Sequence, residues 1–155
     1  MNKIVLASDN KGKLAELQAV LKFLDIELIP QGELGISSAE ETGLSFVENA
    51  LLKARHASKV SGMPALSDDS GLVVNALHGQ PGIYSARFAG ENANAQDNNI
   101  KLLKLMEETP VKNRDAYFYC VIVLIQHADD PTPLIAQGKW SGVIADAARG
   151  ENGFG

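Results

Sequence analysis

The run from Ala116 to Ile125 constrains the fold more than any other stretch of this chain. Extended chain sends alternate side chains to opposite faces. Here Tyr117, Tyr119, Val121 and Val123 fall on one face, and Phe118, Cys120, Ile122 and Leu124 fall on the other. A strand apolar on both faces has to be covered on both, which marks the centre of a sheet with layers on either side. The same run is about half the length a membrane-spanning helix needs.

The rest of the chain supplies strands and helices to build that sheet. Ile4-Val5-Leu6-Ala7 reads as a buried strand, and Leu14, Leu17, Val20, Leu21 and Leu24 recur at helical spacing after it. Ile26-Glu27-Leu28-Ile29 reads as a short strand ended by Pro30, and residues 31–43 as a polar loop carrying Glu40 and Glu41. Ser45 and Glu48 fit a capping box that opens a helix running to about Val60. Phe46, Ala50, Ala54 and Ala57 form its apolar stripe, while Asn49, Lys53 and His56 share another face. Residues 65–74 read as strand around an acidic pair, and 77–82 as a turn or loop; 83–88 carry no clear signal. A helix is expected over 95–106, and an antiparallel strand over 134–143 with Trp140 half-buried. Asp129-Asp130, ahead of Pro131, reads as a solvated connection. At 155 residues, 45% hydrophobic and 21% charged, the chain is expected to form one globular α/β domain with a sizeable core.

Candidate chemistry gathers at four places. If residues 65–74 are extended, Asp68 and Asp69 point to opposite faces, so one can act while the other holds backbone or a basic group. The competing reading is a local turn made by Asp68, Asp69, Ser70 and Gly71. The stretch Ser8-Asp9-Asn10-Lys11-Gly12-Lys13 joins a strand to a helix, an arrangement that offers backbone N–H groups and a positive dipole end to an anion. It is not a Walker A loop, and an ordinary capped helix start with solvated lysines remains its alternative. Glu40-Glu41 and the helical Lys53 complete the set. Carboxylates alone are hard oxygen donors suited to Mg²⁺ or Mn²⁺, and the scattered His56, His78 and His127 lack zinc-ligand spacing. A divalent cation, lysines and a helix N-terminus suit a nucleotide-like polyphosphate.

Composition narrows the setting. A net charge of −5 argues against a general nucleic-acid binder. The first eight residues are too briefly apolar for a signal peptide, and no membrane partner is expected. The single cysteine, Cys120, cannot form an internal disulfide, which points to a reducing cytoplasm. Inside an apolar run it reads as a packed thiol rather than a nucleophile.

In this order, the motifs closely resemble the inosine triphosphate pyrophosphatase family, especially its bacterial members. The matching stretches are Val5–Lys13, Ala39–Gly43, Phe46–Ala50 continuing through Lys53-Ala54-Arg55, Asp68–Leu72, Pro81–Arg87 and Asn152–Gly155. The resemblance implies an elongated mixed sheet with flanking helices, in two lobes around a central cleft, and commonly a homodimer. It implies Mg²⁺-dependent hydrolysis of non-standard purine nucleoside triphosphates (dITP, ITP, XTP) to the monophosphate and pyrophosphate. Ser8, Asn10, Lys13 and Lys53 would then hold the triphosphate, within a binding region that also takes in Asp9, Lys11, Gly12, Ser70 and Gly155. Glu41, with Glu40 as a further candidate, and Asp69 would bind the metal. Asp69 would also be the general base, supported by Asp68 and Ser70, and Phe154 would stack on the purine.

One departure bears on specificity. The family motif that opens at Phe154-Gly155 normally continues into an aromatic-Asp-Pro sequence, a lysine and a Ser-His-Arg motif that reads the base. The 155 residues stop at Gly155, so the expectation is a single domain lacking that segment. An active enzyme, one with altered base preference, and a nucleotide-binding remnant all follow from that expectation.

Overall fold

A computed structural model describes residues 2–150. Its strands are β1 (Asn2–Leu6), β2 (Ile26–Pro30), β3 (Ala65–Val74), β4 (Asp115–Ile125) and β5 (Leu134–Val143). The helices are α1 (Lys11–Leu21), α2 (Phe46–Ser61) and α3 (Ala95–Leu105), with short 3₁₀ turns between elements. The strands form one sheet in the order β2-β1-β3-β4-β5. β1 runs parallel to both neighbours, with Ile4 opposite Leu28 and Leu6 opposite Leu66. Parallel neighbours need crossovers, and α1 and α2 supply them.

The chain divides into two compact units, Met1–Asp69 with Val121–Gln137, and Ser70–Cys120 with Gly138–Gly155. The first packs Ile4, Leu6, Leu28 and Leu66 beneath Leu14, Leu17 and Leu21 of α1, with Ile122 and Leu124 of β4 joining them. Only this stripe of α1 packs: Val20 and Leu24, assigned to it by spacing, are exposed, and Leu24 lies past the helix end. On α2, Ala50, Ala54 and Ala57 are fully buried, and side chains this small let the helix backbone come close to the sheet. Ser67 Oγ takes advantage of that closeness, donating to the Ala50 carbonyl at 2.6 Å. Ser45 caps the helix as the sequence predicts, although Glu48 reaches the Leu44 N–H and the Ser45 hydroxyl rather than closing a full capping box. In the second unit Val74, Leu102, Met106 and Ala116 form the core, with Leu72, Leu77, Phe88 and Ile144 against it. The unclear stretch at 83–88 lies mostly in a 3₁₀ helix, Gly82–Arg87.

The strand expected over 65–74 holds, and the competing turn falls: nothing interrupts β3 at Ser70-Gly71, and it runs unbroken to Val74. Two expectations change. Along β4, Val121, Val123 and Ile125 of one face are buried and Ile122 and Leu124 of the other pack on the α1 core, but Phe118 is exposed, so two-sided covering holds toward the C-terminal half only. Trp140 is 79% exposed rather than half-buried. β5 is an edge strand, and Gln137-Gly138-Lys139 and Ser141-Gly142 deny it a continuous apolar face to bury.

Asp130 overturns the solvated reading of its connection. It is buried, and its carboxylate accepts hydrogen bonds from the Gln126 and Thr132 N–H groups at 2.9 and 2.8 Å. Those donors hold its carboxyl below the usual carboxylate range. Arg55 of α2 fixes the same turn from outside, donating to the Ala128 and Asp130 carbonyls.

Candidate active site

β3 carries Asp68 and Asp69 in consecutive positions, and both are buried. Strand alternation gives them different partners. Lys13 Nζ of α1 donates to Asp68 Oδ2 at 2.7 Å, whereas Lys53 Nζ of α2 lies 3.5 Å from Asp69 Oδ1. Lys53 also donates to Glu41 Oε1 at 2.9 Å, so one ammonium bridges two carboxylates. Three carboxylates and two lysines thus converge where β3, the first turn of α1, α2 and the loop before it come together. Glu40, next to Glu41, is exposed.

The start of α1 is built as an anion-facing turn. Asn10 is its N-cap, and Oδ1 accepts from the Gly12 and Lys13 N–H groups at 2.9 and 3.1 Å. Ser8 Oγ accepts from the Asn10 N–H. Asp9 is committed elsewhere: Oδ1 accepts from the Gly32 N–H at 2.8 Å and Oδ2 from Gln31 Nε2 at 3.1 Å, so it pins the turn after β2. Lys11 and Gly12 are exposed at the first turn.

Electrostatics single out Asp69. Burial raises its carboxyl above the ordinary range; the Glu41 charge adds to this, while Lys53 and the Asn49 amide pull the other way. Its second oxygen, Oδ2, is buried with no hydrogen-bond partner. A desolvated carboxylate oxygen of that kind is costly to maintain and favours an added cation. Among the described residues, no three histidine, cysteine, aspartate or glutamate side chains stand together as a formed metal centre. The ammonium of Lys53 lies between two of the candidate ligands. The donor set, hard oxygens with one unsatisfied, fits a divalent cation.

Sequence reasoning placed Asn49 only on a helical face. It is in fact fully buried beside the site, and its Oδ1 accepts from the Gly43 N–H at 2.8 Å. The available signal was its spacing, one turn before Lys53. His56, on the same face, instead contacts the Ser37 carbonyl at 2.8 Å. Ser70, directly after Asp69, is exposed on β3, and Phe154 and Gly155 lie outside the described residues. Arg87 sits 5.2 Å over the Tyr84 ring and 3.9 Å from Glu91.

Comparison with known proteins bears on this arrangement. The chain matches the Ham1 family over residues 4–155. A dITP/XTP pyrophosphatase of Xanthomonas campestris pv. campestris is 59% identical over 155 residues, covering 100% of this chain and 78% of the relative. One from Salmonella typhimurium is 54% identical, covering 100% of this chain and 79% of the relative. Among solved structures, a HAM1 protein from Coxiella burnetii superposes with a TM-score of 0.95 at 51% identity, covering 100% of this chain and 79% of that one.

Proposed function

We propose, from the premise that this chain belongs to the Ham1 family, that it hydrolyses non-standard purine nucleoside triphosphates of the dITP, ITP and XTP type to the monophosphate and pyrophosphate. The observation that carries the reading is the Lys53 bridge between Glu41 and Asp69, with an unsatisfied Asp69 oxygen beside it. Such a site binds a polyphosphate with its cation and keeps a carboxylate next to the scissile bond.

Glu41 and Asp69 would hold Mg²⁺, with Mn²⁺ as a substitute, and Glu40 beside Glu41 is a further candidate ligand. When bound, that ion supplies charge neutralisation on the polyphosphate and a more acidic water. The chain's own residues do the rest. Lys13 and Lys53 exchange carboxylate partners for phosphate oxygens, which are charge-assisted contacts of the same kind. The Asn10-capped turn presents its backbone and Ser8 to the triphosphate. Water adds across the α–β phosphoanhydride, and Asp69 takes the proton that the water gives up. A carboxyl raised by burial is a stronger base once ionised than an exposed one, which suits that role. Asp68, paired with Lys13, fixes the approach of that lysine.

The substrate partner is a purine nucleoside triphosphate. A homodimer and a cytoplasmic setting belong to the same reading, the first from the family resemblance and the second from the lone Cys120. Pyrophosphate release from a panel of dITP, XTP, dGTP and dATP, with Mg²⁺ or with chelator, tests the proposal. Preference for dITP and XTP and loss of turnover in chelator are expected. Equal rates on all four, or turnover without any divalent cation, would overturn it.

A further inference from the structure

Asn49 is fully buried on α2, one turn before Lys53, and its two ends face different parts of the site. Its Oδ1 accepts from the Gly43 N–H at 2.8 Å, holding the end of the loop that carries Glu41. The loop fits tightly there: a Cβ on Gly43 would stand 2.6 Å from Glu48 Cβ and 2.7 Å from Asn49 Oδ1. The other end is unusual. Asn49 Nδ2 is buried without a hydrogen-bond partner, and so is Asp69 Oδ2. A donor and an acceptor orphaned in the same neighbourhood are complementary, and the amide already acts on the Asp69 carboxylate in the direction that favours its charge. An apolar residue here would remove the orphaned Nδ2 but leave Asp69 Oδ2 unpartnered and take the acceptor from the Gly43 N–H, so the amide answers to its polar neighbours and not to packing alone.

We infer that Asn49 is a positioning residue for the Glu41–Asp69 pair, its carbonyl end fixing the loop that carries Glu41 and its amide end orienting the Asp69 carboxylate. The inference rests on the proposed pyrophosphatase reading for what the pair does. Its structural half, the tie between α2 and the 39–43 loop, stands apart from that reading. In that reading Asn49 holds two groups of the site and is assigned no contact of its own to phosphate or to the reacting water. Its loss therefore displaces groups that act in the transition state without removing a substrate contact, which lowers kcat and spares KM.

Two variants separate the two ends. Asn49→Leu keeps the branched shape and removes both functions. Asn49→Asp keeps an acceptor for Gly43 and removes the donor toward Asp69. Each is checked for native circular dichroism, then measured by hydrogen exchange over 39–43 and by steady-state kinetics on dITP. In Asn49→Leu, exchange over 39–43 should accelerate about tenfold or more. Its kcat should fall about tenfold or more with KM within about twofold. Asn49→Asp should keep near-native exchange over 39–43 and still lose kcat. Native exchange and kcat in Asn49→Leu would overturn the inference, as would full kcat in Asn49→Asp. If Asn49→Leu does not fold, the kcat of Asn49→Asp alone decides. Absence of pyrophosphate release by the unaltered protein defeats the enzymatic reading, while exchange over 39–43 still tests the loop tie.

Discussion

Replacing Lys53 by Met tests the electrostatics of the site most directly. Methionine keeps an unbranched apolar stem and removes the ammonium. That ammonium is 2.9 Å from Glu41 Oε1 and 3.5 Å from Asp69 Oδ1, with Lys53, Glu41 and Asp69 side chains 15%, 25% and 10% exposed. With an effective dielectric constant of about 20, each attraction is of order 5 kcal/mol. Two effects reduce what a melt reads: the desolvation of Lys53 is recovered when it is removed, and Glu41 can turn its exposed edge to water. What remains is the cost of stranding a buried carboxylate, about 3 kcal/mol. In a chain of this size that corresponds to a Tm lower by roughly 6–12 °C near neutral pH. The dependence on pH is the sharper signature. Asp69 already stands above the ordinary carboxylate range. A carboxyl raised on folding binds more protons folded than unfolded between its two pKa values, so stability falls as pH rises through that window. Lys53 is the largest influence opposing the rise, and its removal leaves burial and Glu41 unopposed by any ammonium. The variant should therefore approach the unaltered protein near the ordinary carboxylate value, about pH 4, and fall furthest behind at neutral pH. Scanning fluorimetry in chelator across that range measures it. An equal Tm deficit at both ends, or no deficit at neutral pH, would refute the reasoning.

Asp69→Asn should lower kcat by about 10²–10⁴ while keeping the fold, and its Tm at neutral pH should not drop, because ionising Asp69 costs stability. Asp68→Asn should hurt turnover less; pyrophosphate assays and melts on both variants check this, and near-normal turnover in Asp69→Asn would sink its assignment as base. Lys13→Ala should weaken triphosphate binding by about 1.5–3 kcal/mol and monophosphate binding much less, as read by calorimetry. Equal losses would mean that Lys13 serves only Asp68. Gly43→Ala should destabilise the protein by about 1–3 kcal/mol, because its Cβ meets Glu48 and Asn49; an unchanged denaturation midpoint would show that the loop relaxes freely.

Local chemistry was the most legible part of the sequence. Ser45 and Asn10 cap helices where short-range patterns place caps, and the strand over 134–143 was read to its ends. The acidic pair resolved into strand because apolar, β-prone residues flank it on both sides. What stayed hidden depends on contacts far apart in sequence. Asp9 looked like part of a phosphate loop, yet Gly32 and Gln31, more than twenty residues on, claim both of its oxygens. Asp130 read as solvated because a proline follows it, but burial came from backbone donors at Gln126 and Thr132. Trp140 read as half-buried, and its place on an edge strand explains its exposure. For Asn49 the spacing gave the face it shares with Lys53, but not its burial or its bond to the Gly43 N–H.

The adjacency of Asp68 and Asp69 on one uninterrupted strand has a consequence for how this chain can change length. Their separate partners depend on strand parity alone, since consecutive residues must face opposite ways. Deleting one residue between the Val5–Ala65 pairing and Asp68 would move Asp69 opposite Lys13 and Ser70 opposite Lys53, whereas inserting one ahead of Ser67 would move Asp68 opposite Lys53 and Ser67 opposite Lys13. The fold could keep its hydrogen-bonded ladder, yet one carboxylate would stand where the other acts and a serine would fill the second place. Length variation is therefore tolerable only in loops whose ends stay fixed. Within residues 65–69 the count itself is part of the site.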